Sequence, residues 1–191
     1  MSSNPIPQCR SIKVVAFHGD RSKAFIQAFY QKLADEKSGA GAGPTLDECL
    51  RFAGHTGVSI DGGTTVFGFN PNPDPTLKIW QVMDSLMNGD RFDGIVRDDT
   101  AVFTMAMQHQ LPLETVEMRL PDVHFQTFES TLDAAKQASQ SKYSFPDGMG
   151  DCNCVTWLER LGLPLLSGSM DAFIDLLKYT LYPSRRFGEC V

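Results

Sequence analysis

Gly54-His55-Thr56-Gly57-Val58-Ser59-Ile60-Asp61-Gly62-Gly63-Thr64-Thr65-Val66-Phe67-Gly68-Phe69-Asn70 holds two alternating, β-rich runs on either side of a Gly-Gly pair, a strong sign of a hairpin. If Gly62 and Gly63 are the turn residues, Asp61 pairs with Thr64 and pairing proceeds outward in step. Ser59 then faces Val66, Gly57 faces Gly68, and His55 faces Asn70. Directly opposed residues share a face, with Cβ atoms about 5 Å apart. The count therefore sets an Asn beside a His at one end of the hairpin. Two glycines next to them leave room for another element to approach closely, as the start of a packed helix must. Otherwise His55 and Asn70 are two ordinary polar residues at the end of a sheet.

A second stretch could supply that helix: Gly150-Asp151-Cys152-Asn153-Cys154-Val155-Thr156-Trp157-Leu158-Glu159-Arg160-Leu161-Gly162-Leu163-Pro164. Asn153 is a good N-cap, and Cys154, Trp157, Leu158 and Leu161 recur on one helical face. Gly162 suits the position after the last turn, and Pro164 forbids continuation. Cys154 falls in the first turn, where unpaired N–H groups and the macrodipole favour a thiolate, the nucleophilic form. The alternative is a buried structural cysteine.

A cysteine nucleophile needs a base, and the base needs an orienting group. Of the four histidines, His18 lies in a turn after a strand, and His109 and His124 fall among polar residues. His55 has the glycine-cleared strand position, so Cys154, His55 and Asn70 form the candidate set. His55-x-Gly57-Val58 opening a hairpin and Asn153-Cys154-x-x-Trp157-Leu158 opening a helix together resemble the NlpC-type papain-like superfamily. With His first and Cys last, the order is that of its circularly permuted branch, which includes lecithin–retinol acyltransferase-like proteins. The resemblance covers these two motifs and implies an α+β fold, a small antiparallel sheet packed on the cysteine helix. It also implies Cys154 as nucleophile, His55 as base and a polar third residue on the next strand, here Asn70 where the family frequently has His. A Tyr shortly before the cysteine that helps polarise the substrate would be Tyr143. Peptide, amide and acyl-ester or thioester substrates all suit this chemistry, by hydrolysis or by acyl transfer. A papain-like domain retained as a binding module is the non-enzyme alternative.

Around these motifs, the 191 residues form one expected domain, with 42% hydrophobic and 21% charged residues as in globular proteins. The net charge of −6 gives no support for a nucleic-acid partner. No apolar run reaches the roughly 18 residues of a transmembrane helix, and Met1–Arg10 lacks the apolar core of a secretory signal. Five cysteines, an odd number, argue against a disulfide scaffold and for reduced thiols in the cytoplasm. No cofactor is expected. Cys152-Asn153-Cys154 could ligate a metal with a histidine, but the second ligand pair usual for a structural zinc site is missing. As a redox pair it lacks Cys-x-x-Cys spacing.

Further along, Ser11–Phe17 reads as a buried strand and Ser22–Glu36 as a helix with Phe25, Phe29 and Leu33 inward. Residues 1–50 have no place in the resemblance and read as an N-terminal extension. Thr45 and Glu48 are spaced as a capping box. Thr76–Asn88 and Val123–Ala138 read as helices, Ala101–Met107 and Glu114–Leu120 as strands. Gly89–Asp99, including Arg97-Asp98-Asp99, reads as polar surface, and Tyr143–Met149 as a loop. A last helix is expected from Ser169, stopped at Pro183, with a loose tail from 184 to 191.

Overall fold

The computed structural model describes residues 8–137, 141–144 and 153–161. They form an α+β structure around one antiparallel sheet. In chain order the elements are β1 (Cys9–His18), α1 (Lys23–Ser38), α2 (Leu46–Ala53), β2 (Gly54–Ser59), β3 (Phe67–Asn72), α3 (Ile79–Met87), β4 (Phe92–Asp98), α4 (Thr100–Gln108), β5 (Leu113–Pro121), α5 (Asp122–Gln137), β6 (Lys142–Tyr143) and α6 (Thr156–Arg160). The sheet order is β5-β1-β2-β3-β4-β6. β1 thus lies inside the sheet, paired with β5 on one side and β2 on the other. The N-terminal segment expected to be an extension supplies an interior strand.

Strand alternation divides the core in two. Ile12, Val14, Ala16, Val58 and Phe69 meet Phe125, Phe128 and Leu132 of α5 and Trp157 and Leu158 of α6. Each of these large side chains contributes roughly 1.5–3 kcal/mol on leaving water, so α5 and α6 are held on by their apolar stripes. Phe17 points the other way, into a cluster with Leu50 of α2 and Val102, Phe103 and Ala106 of α4. Phe29 of α1 stacks on Phe52 of α2 with centroids 4.5 Å apart. The expected Thr45/Glu48 capping box opens α2, with Glu48 N–H donating to Thr45 and Thr45 N–H to the Glu48 carboxylate.

Two expectations about the middle of the chain are corrected. Residues 101–107 are the body of helix α4, not a strand. The short apolar run satisfies both periods, and Asp98 decides it by accepting from the N–H and hydroxyl of Thr100 at the helix start. The segment expected as polar surface contains β4, six residues of which pair with β3. Its polarity misleads because Gly94 is a packing residue: a Cβ there would lie 1.8 Å from the Phe69 ring.

Residues 142–143 form the short strand β6 rather than starting a loop. The helix expected from Ser169, the tail, Cys152 and the Gly162/Pro164 stop lie outside the described residues. None of the helices among the described residues is long and apolar enough to cross a membrane.

Candidate active site

Gly62 and Gly63 both have positive φ, 78° and 100°, the conformation for which the turn uses glycine. The connection is longer than a two-residue hairpin and is braced by Asp61, which accepts from Ser59 Oγ and from Thr65 N–H. The single ladder pair between β2 and β3, Val58↔Phe67, is nevertheless one that the counted register dictates. Beyond it the strands part, so His55 and Asn70 stand across an opening rather than as a paired rung.

What joins them is Asp99. Its Oδ2 lies 2.7 Å from His55 Nε2 and accepts from Asn70 Nδ2 at 2.6 Å, while Oδ1 accepts from Arg97 Nε at 3.2 Å. His55, Asn70 and Asp99 are 1%, 0% and 2% exposed. The backbone positions this carboxylate: Asp99 N–H donates to Val66 O, and Asp99 O accepts the first N–H bonds of α4. With its main chain committed to α4, the side chain turns back under the sheet.

This corrects two expectations. Arg97-Asp98-Asp99 is not all solvated surface, and Asn70 does not accept from the imidazole. Asn70 Oδ1 has no hydrogen-bond partner, because the carboxylate occupies the place beside Nε2. An ionised carboxylate only accepts, so Nε2 carries the proton. Nδ1, which has no directed partner of its own, is then the basic nitrogen.

Gly68 clears the space, but for Asp99 rather than for a helix start. A Cβ on Gly68 would lie 2.1 Å from Asp99 Oδ2 and 2.4 Å from His55 Nε2, and one on Gly57 would meet Val66 and Phe103 at 2.6 and 3.0 Å. Gly68→Ala should therefore separate the imidazole from the carboxylate. We expect a loss of about 1–3 kcal/mol, the overpacking range, read as a lower denaturation midpoint. Little change in midpoint, with His55 titrating as in the unaltered protein, would contradict this close fit.

Cys154 approaches from the other layer. Asn153 caps as expected, its Oδ1 accepting from the N–H groups of Val155 and Thr156. Trp157 stacks on Phe69, centroids 5.8 Å apart. Cys154 itself lies in the turn before α6 and is 6% exposed. Thr56 Oγ1 donates to Cys154 O at 2.6 Å. His55 and Thr56 are successive residues of β2, and both act electrostatically on the thiol.

Burial acts to lower the His55 pKa, but the hydrogen bond to Asp99 and the interaction with Cys154 outweigh it and raise the pKa to about 9. Burial acts to raise the Cys154 pKa, and here His55 and then Thr56 outweigh it, so the thiol titrates below its usual range. Burial likewise opposes the ionised Asp99, and His55, Asn70 and Arg97 more than compensate. Both shifts favour the Cys154 thiolate and the His55 imidazolium. The helix start expected to stabilise the thiolate is the minor partner, since α6 has five residues and the direct neighbours do the work.

Other expected positions fall elsewhere. Tyr143 packs its ring on Phe69 at 5.7 Å, in the core cluster with Trp157, apart from the His55–Asp99–Asn70 hydrogen bonds. His109 caps the end of α4, His124 is exposed on α5, and His18 ends β1. Cys49 is a free buried thiol whose pKa burial pushes up to about 12, and is correspondingly inert. The expectation of reduced thiols fails at Cys9, which is disulfide-bonded; an odd count excludes only a fully paired set. Among the described residues no three His, Cys, Asp or Glu side chains converge as a metal-holding group.

Asp99 is the site residue that sequence reasoning misses. The available signal was Gly68 itself: a glycine between His55 and Asn70 on their face implies that a third side chain fills the gap. Comparison of the chain with family models, curated proteins and solved structures gives no match.

Proposed function

We propose that this protein is a cysteine hydrolase or acyltransferase working through an acyl-enzyme, with Cys154 as nucleophile, His55 as general base and acid, and Asp99 as the orienting carboxylate. The observation that carries the reading is the buried hydrogen bond from His55 Nε2 to Asp99 Oδ2 at 2.7 Å, behind an imidazole that lowers the pKa of the Cys154 thiol as the thiol raises its own. A merely structural cysteine needs no protonated histidine and no dedicated carboxylate behind it. The order His55, Asp99, Cys154 and the sheet-and-helix setting agree with a permuted papain-like domain.

In the proposed cycle, the Cys154 thiolate attacks the acyl carbonyl carbon, forming the S–C bond. The His55 imidazolium gives its proton to the leaving amine, alcohol or thiol as the C–N, C–O or C–S bond breaks. Neutral His55 then accepts a proton from water or another acceptor nucleophile, which attacks the thioester and releases Cys154 as thiolate. Asp99 keeps the ring in one tautomer and stabilises its charged form.

Incubation with a small activated ester such as p-nitrophenyl acetate tests this by intact mass. One acetyl group on Cys154, turning over with time, is the expected result. A second reading, a papain-like binding module without activity, is favoured by the near-complete burial of Cys154 and His55. It predicts a native protein that acquires no acetyl group at Cys154.

A further inference from the structure

Thr56 is completely buried, and its hydroxyl bonds a carbonyl 98 residues away, that of Cys154, at 2.6 Å. It is also the immediate neighbour of His55 in β2. We propose that Thr56 is the positioning residue of the nucleophile, fastening the Cys154 carbonyl to β2 so that the sulfur is held towards His55. The proposal rests on the reading of Cys154 as the nucleophile.

The need for such a fastening follows from the local structure. α6 has five residues, too short to hold its own first turn rigid. Trp157 anchors one side of it by stacking on Phe69, and the Asn153 cap ties the turn to itself. The Thr56 hydroxyl is the bond that ties the Cys154 main chain to the strand bearing His55.

The hydroxyl and the N–H of Thr56 both also favour the thiolate. A hydroxyl has one proton to give, so while it bonds the carbonyl it acts on the sulfur through position. That N–H survives substitution of the side chain, so the expected loss is partial. A threonine serving only packing would also be buried and hydrogen-bonded, but its loss would leave the ionisation of Cys154 alone.

The test compares Thr56→Val, Thr56→Ala and Thr56→Ser, with thermal denaturation reporting on folding. The Cys154 ionisation is read from thiolate ultraviolet absorbance against pH, subtracting the same titration of Cys154→Ser protein. This readout needs no substrate. Thr56→Val and Thr56→Ala should both raise the Cys154 pKa, and lower the rate of its acetylation by about tenfold, the worth of one buried hydrogen bond. Thr56→Ser, which keeps the hydroxyl, should titrate and react like the unaltered protein.

Unchanged titration and rate in both hydroxyl-free variants overturns the positioning role while leaving the nucleophile in place. So does a serine variant as impaired as the valine and alanine variants, the outcome also expected if the methyl group were what mattered. An ordinary thiol at Cys154 in the unaltered protein overturns this role and the hydrolase reading together.

Discussion

Cys154→Ser should abolish acetylation by a small activated ester and any turnover that follows from it, while the fold persists. The effect is expected to be complete because the substitution removes the only atom that forms the covalent intermediate. A serine hydroxyl in that place is far less acidic than a thiol already shifted towards its anion by His55 and Thr56. Stability should change little, since Ser and Cys are close in size and the anchoring bond from Thr56 goes to the backbone carbonyl. Cys49→Ser serves as the control, its thiol being held protonated by burial, and should leave acetylation untouched. Persistent acetylation of the Cys154→Ser protein at another cysteine would show that the nucleophile has been misassigned.

The next largest effect belongs to Asp99. Asp99→Asn should reduce the acetylation rate by on the order of 10²- to 10⁴-fold, the usual worth of general acid–base assistance. The amide keeps the shape but not the charge, so the burial that acts to lower the His55 pKa is no longer opposed by the carboxylate. Asn70→Ala should cost only about tenfold, because Asn70 gives a single hydrogen bond to Asp99 Oδ2. An Asn70 variant as impaired as the Asp99 variant would instead make the amide the orienting group.

The same pair sets a pH dependence of stability. His55 has its pKa raised from 6.5 to about 9, so the stabilisation from its charged form is complete below 6.5 and is lost as pH rises through about 9. Asp99 has its pKa lowered from 3.8, so its contribution is complete above 3.8 and is lost as pH falls through the depressed value. Denaturation midpoints should thus lose the pair's contribution on the alkaline side first at His55, and Asp99→Asn should flatten both limbs.

Much of this site could be read from the sequence, because local rules govern its parts. Two glycines fix a turn, a turn fixes a register, and the register set His55 and Asn70 on one face; Val58↔Phe67 follows the same count. Asn153 as a cap and Trp157 on the packing face are equally local. Asp99 was hidden because its role depends on β4 pairing with β3 and on His55 of β2 being brought to it, both non-local facts. An Arg-Asp-Asp run reads as solvated until something places it under a sheet. Residues 101–107 went wrong for a related reason, since a short apolar run carries both periods, and the turn in which Asp98 accepts from Thr100 leads into the helix. The interior position of β1 likewise depends on β5, a hundred residues later, closing over its free edge.

The most direct test is the rate of iodoacetamide alkylation at Cys154 in the native protein as a function of pH, followed by mass spectrometry in the unaltered protein and in His55→Gln. A thiolate held by imidazolium should reach a near-constant rate at a pH below the ordinary thiol range of about 8.5, and His55→Gln should abolish that plateau. A rate that climbs tenfold per pH unit towards the ordinary thiol range, identical in the two proteins, would contradict the proposed Cys154–His55–Asp99 site.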